Sequence, residues 1–123
     1  MASLKATINL NTTDATSDTL KLNNTAELTT TVPAVNVGRI EVSTSAATNL
    51  LTAAVNTSIT YVYLKNTATD ASHILTVKDD AGNAFSDLSS GESMFLPIKG
   101  SVGLECQASG ASITAEYGYW TKG

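Results

Sequence analysis

Along most of this chain apolar residues recur at every second position, in short runs bounded by Gly, Asn, Asp, Ser or Pro. That alternation fits strands and leaves little room for helices. Residues 4–10 set the pattern, with Leu4, Ala6, Ile8 and Leu10 on an inner face and Lys5, Thr7 and Asn9 between them. Thr, Ser and Asn make up about a third of the chain, while Lys, Arg and Glu are scarce, which favours strands with hydroxyl-bearing outer faces. A chain of 123 residues can bury one core without disulfide or metal staples and has none to spare for a second. Residues 1–123 are therefore expected to form a single β-sandwich domain.

The order of the strands follows from the punctuation. After a polar connection at 11–18, a short strand at 19–23 has Leu20 and Leu22 inward; Asn23-Asn24 suits a turn, and a strand at 27–32 ends at Pro33. The inner side then runs Val35, Val37, Ile40, Val42, and its change of phase predicts a β-bulge at Gly38-Arg39. Residues 44–55 read either as a helical turn or two or as a strand flanked by loops. Tyr61-Val62-Tyr63-Leu64 carries large side chains on both faces, so one face meets the core and the other needs a second layer, a loop or another subunit. Strands at 73–78, 84–88, 94–98, 102–108 and 112–120 follow, joined by Gly-containing turns at 79–83, 88–93, 99–101 and 109–111. About nine or ten short strands with no βαβ alternation give an all-β fold, an antiparallel β-sandwich of the jelly-roll kind.

Charge and chemistry narrow the function classes. A net charge of -4 with only 7 Lys and Arg argues against nucleic acid, whose affinity comes largely from basic residues. No apolar run reaches the roughly 18 residues of a membrane-spanning helix, so no membrane association is expected. Residues 1–5 lead straight into a strand instead of a signal-peptide core, which implies a chain made and kept in a cytoplasm.

No set of residues assembles a catalytic, cofactor or metal site. Asp79-Asp80-Ala81-Gly82-Asn83 lacks the spaced acids and distant Glu of a calcium loop and reads as turn chemistry. His73 and Cys106 are single copies. They form a nucleophile and base only if the fold joins them; alternation puts Cys106 beside Leu104 and Ala108, as a small buried hydrophobe. Sequons at Asn11, Asn23 and Asn56 follow from a composition rich in Thr and Ser and are discounted. The sharper candidates are Tyr61, Tyr63, Phe95 and Trp120, residue types that supply interface energy. Trp120 and Glu116 are out of phase with Ile113, Ala115, Tyr117 and Tyr119.

The run 61–67, then Ile74-Leu75-Thr76-Val77, then residues 88–98 with their Gly91-Glu92 turn and Phe95-Leu96-Pro97, then Ala115-Glu116-Tyr117-Gly118-Tyr119 resembles small β-sandwich virion proteins of tailed bacteriophages, many from marine and cyanobacterial viruses. The resemblance covers roughly the last half of the chain. It implies a non-enzymatic structural role without cofactor: a capsid decoration, or cement, protein that binds junctions of the major capsid protein shell. It also implies a homo-oligomer, with a trimer favoured, located on the virion after assembly in the host cytoplasm. The alternative is a tail or host-surface module that binds carbohydrate. In either case strand 4–10 has a connection long enough to be exchanged between subunits.

Overall fold

The computed structural model describes residues 2–12, 20–30, 37–52 and 59–122. Where one sandwich over 1–123 is expected, the chain divides into two compact units, Met1–Val32 with Gly123 and Pro33–Lys122. The first is a ribbon of β1 (Ala2–Thr12) and β2 (Leu20–Thr30), antiparallel and in register from Ala2 opposite Thr30 to Thr12 opposite Leu20. Leu4, Ala6, Ile8 and Leu10 do share a face, but Ile8 and Leu10 are about half exposed, as is Leu22. The expected turn at Asn23-Asn24 is absent: these residues stand opposite Asn9 and Ile8 within one continuous strand. Cross-strand pairing along eleven residues overrides the local turn preference of Asn.

The second unit is the sandwich. Its strands are β3 (Val37–Val42), β4 (Thr48–Leu51), β5 (Thr60–Asn66), β6 (Ile74–Asp79), β7 (Ala84–Leu88), β8 (Ser93–Ile98), β9 (Leu104–Ser109) and β10 (Ile113–Thr121). Sheet I runs β3-β10-β5-β8 and sheet II runs β4-β9-β6-β7, every pair antiparallel. First pairs with last, second with second last, inward to the β6–β7 hairpin. A long antiparallel hairpin rolled up on itself gives this order, which is the jelly roll.

Alternation places the core between the sheets. Val42, Val62, Leu64, Ile98, Ile113 and Ala115 come from sheet I, and Leu51, Leu75, Val77, Leu88, Leu104, Cys106 and Ala108 from sheet II. At roughly 25 cal/mol per Å² of apolar surface removed from water, this layer dominates the stability of the unit. Three turns place glycine at positive φ, Gly82 at 87°, Gly91 at 79° and Gly110 at 93°, while Ser101 takes that position at 66° in the turn before β9.

The bulge at Gly38-Arg39 is absent, since β3 pairs one to one with β10 from Val42 opposite Ile113 to Val37 opposite Gly118. Val37 therefore points away from the core and is 58% exposed; Val35 lies outside the described residues. Register shifts occur instead between Asn49 and Leu51 on β4 and between Val77 and Lys78 on β6. The ambiguous 44–55 stretch contributes strand β4, with 53–58 outside the described residues.

Candidate functional site

Parity along β5 decides which aromatic residues meet. Val62 and Leu64 enter the core, so Tyr61 and Tyr63 stand on the outer face of sheet I. Residues directly opposite on neighbouring strands share a face. Trp120 of β10 and Pro97 of β8 lie opposite Tyr61, and Gly118 and Phe95 lie opposite Tyr63. The four candidates Tyr61, Tyr63, Phe95 and Trp120, drawn from three strands, thus converge on one surface. Pro97 fits there because β8 is an edge strand, where a missing donor costs no ladder bond.

The side chains on this face cover one another. The Tyr61 and Phe95 rings stack with centroids 6.1 Å apart and planes 17° from parallel. Tyr61 keeps only 5% of its surface, while Tyr63, Phe95 and Trp120 are half-buried. The indole of Trp120 folds back over Gly118: a Cβ built there would lie 2.8 Å from Cη2 and 3.3 Å from Cζ2. Gly118 is thus the seat of the indole. Val37, opposite Gly118 on β3, extends the apolar row across the fourth strand.

A polar row borders the aromatic one. Arg39 and Lys65 lie on either side of Glu116, and Ser93 lies beyond Lys65. Tyr63 Oη donates to Glu116 Oε1 at 3.3 Å, and Arg39 Nη2 stands 3.6 Å from Glu116 Oε2. Partial burial, then the neighbouring Glu116 charge and the bond to it, raise the Tyr63 pKa above its ordinary value, so the phenol stays a donor across physiological pH. The Arg39 to Glu116 pair is exposed and orients more than it stabilises.

The outer face of sheet II differs in kind. There Lys78 Nζ donates to Gln107 Oε1 at 2.7 Å, Thr76 Oγ1 donates to Asp87 Oδ1 at 2.7 Å, and Gln107 Nε2 donates to the Thr44 carbonyl at 2.9 Å. Sheet I gathers aromatic residues of three strands on its outer face, whereas sheet II carries satisfied polar pairs and the exposed Phe85 of its edge strand β7.

The remaining candidates separate. Cys106 points into the core opposite Val77, its Sγ 4.0 Å from the Thr48 carbonyl, and burial, then Glu105, pushes its pKa up to about 11. His73 faces Asp70, with Nε2 3.6 Å from Oδ2, so the two are not a nucleophile and base. Asp79 accepts the Ala81 and Asn83 N–H groups on Oδ1 at 2.9 Å each and the Asn83 Nδ2 on Oδ2 at 3.1 Å, the self-capping of a hairpin turn. Those bonds, the Asn83 N–H first, hold its pKa below the ordinary value. Among the described residues no three His, Cys, Asp or Glu come together as a metal site.

Sequence reasoning missed Val37, Pro97 and Gly118. Val37 was assigned inward through the supposed bulge, and nothing local links Pro97 or Gly118 to Tyr61 and Tyr63. The shared parity of Glu116 and Trp120 was the usable signal. No family model, curated protein or solved structure matches this chain.

Proposed function

We propose that this protein is a non-enzymatic structural component of a phage virion, a capsid decoration protein that docks through the outer face of sheet I onto the major capsid protein. The observation that carries the proposal is the gathering of Tyr61, Tyr63, Phe95, Pro97 and Trp120 on the outer face of sheet I, whereas sheet II carries polar pairs and only Phe85 as an aromatic. Interface energy concentrates in such aromatic anchors ringed by polar groups, and anchors held on strands lose little freedom on binding. The resemblance of segments within residues 61–119 to phage virion proteins supplies the partner. A decoration role also accounts for an acidic balance of -4, which disfavours DNA.

A second reading has its own observation. The six-membered ring of Trp120 over Gly118, beside the Tyr63 hydroxyl and the Arg39 to Glu116 pair, offers an aromatic surface next to hydrogen-bonding groups, as a sugar ring requires. The two readings separate in one comparison. Purified protein is sedimented with undecorated phage capsids and, in parallel, applied to a glycan array. Decoration predicts saturable binding at a fixed ratio to the major capsid subunit and no glycan signal. Glycan binding without capsid binding would replace the first reading with the second.

A further inference from the structure

The β1–β2 ribbon is amphipathic along its whole length. On one face lie Leu4, Ala6, Ile8, Leu10, Leu22, Ala26 and Leu28; on the other, Lys5 stands opposite Glu27, Thr7 opposite Thr25 and Asn9 opposite Asn23. The Thr7 and Thr25 hydroxyls approach to 3.5 Å. The polar face suits water, whereas Ile8, Leu10 and Leu22 leave 45%, 57% and 51% of their surfaces uncovered on the other. Among the described residues, β1 and β2 pair only with each other. A two-stranded ribbon with open edges is marginal on its own; a third strand or a covering layer is what makes such a sheet stable.

We infer that this ribbon is the self-association element of the chain: copies of it close into a ring of three or more, with apolar faces inward and edges paired. The occupant is argued from size and pattern. From the Leu4–Leu28 pair to the Leu10–Leu22 pair, six rises of about 3.4 Å give an apolar stripe about 20 Å long and about 10 Å wide. Another ribbon matches the stripe along its full length. Two ribbons face to face would contribute about 400 Å² of apolar footprint, below the roughly 1,200–2,000 Å² of a stable interface. A ring of more copies adds the paired edges and leaves no strand open. Large and small residues alternate along the stripe, Leu4-Ala6-Ile8 on β1 and Leu28-Ala26 on β2, as the interior of a small barrel requires. Asn24, opposite Ile8 near the middle, is the polar break in the stripe; meeting its own copies around an axis, it would fix register as a buried Asn does in a coiled coil.

This inference does not rest on what sheet I binds, and its test uses no capsid. Light scattering of the full chain at micromolar concentration is expected to give a mass of three or more copies. Leu10→Asp with Leu22→Asp, a directly opposed and exposed pair, is expected to reduce it to one copy while Trp120 fluorescence and the thermal transition of the sandwich stay unchanged. Asn24→Cys is expected to yield disulfide-linked chains on oxidation and Asn23→Cys, on the polar face, to yield none, the native Cys106 being buried. A monomeric or dimeric mass for the unmodified protein, retention of mass by the double variant, or equal crosslinking at 23 and 24 would overturn the inference.

Discussion

Asn66 has no surface left to water, and all of its side chain is used. From β5 in sheet I its Nδ2 donates to the Leu88 carbonyl of β7 in sheet II at 2.9 Å and to the His73 carbonyl at 3.0 Å, while Oδ1 accepts the Ala68 N–H at 2.9 Å. Its backbone also joins the β7–β8 turn, through its N–H to Glu92 and its carbonyl from Gly91, both at 2.9 Å. One amide therefore ties the ends of three strands together. Asn66→Ala removes three side-chain bonds and strands buried carbonyls, a loss of about 3–5 kcal/mol. The expected result is a Tm lower by roughly 12 °C or more in a thermal melt; a change within a few degrees would show that water replaces the amide. Cys106 gives the converse case of a reactive type made inert. With its thiol buried and its pKa pushed up to about 11, it carries almost no thiolate at neutral pH. Thiol reagents at pH 8 are expected to leave it unlabelled in the folded protein and to label it fully in denaturant.

At the scale of the strand, alternation was legible in β9 and β10, which present Leu104, Cys106 and Ala108, and Ile113, Ala115, Tyr117 and Tyr119, to the core as expected. It misled where a local preference opposed a long register. Asn23-Asn24 has turn chemistry, yet it sits mid-strand because eleven pairs hold β2 to β1. Val37 is apolar, yet it faces outward because β3 keeps strict register with β10. Its place on the aromatic face gives an apolar residue outside the core a use, so no bulge was needed. Gly118 was unreadable as a functional position, since its role appears only once the Trp120 indole lies above it. Gly118→Ala is expected to lift the indole off the strand, because its Cβ would meet the ring at 2.8 Å and the side chain yields more easily than the backbone. As Trp120 is the sole tryptophan, a red shift in fluorescence emission with little loss of Tm reports the displacement. An unchanged spectrum would mean the ring is not seated there.

For the whole molecule, the class all-β sandwich followed from periodicity and turn spacing, and the candidate residues followed from their type and phase. Their convergence did not. Tyr63 and Phe95 are separated by two strands of sheet II in the chain, and Trp120 by four strands from Tyr61; only the rolling of the hairpin makes β10, β5 and β8 neighbours. The same rolling gathers aromatic residues of three strands on sheet I and leaves sheet II with polar pairs and Phe85. Binding through the outer face of sheet I, as proposed, is tested most directly by capsid affinity measured for variants of the two faces. Phe95→Ala with Trp120→Ala on sheet I is expected to weaken binding at least about tenfold, while Thr76→Ala with Lys78→Ala on sheet II is expected to leave it within about twofold. Loss of binding confined to the sheet II variant, or none from the sheet I variant with its fold intact, would contradict the account.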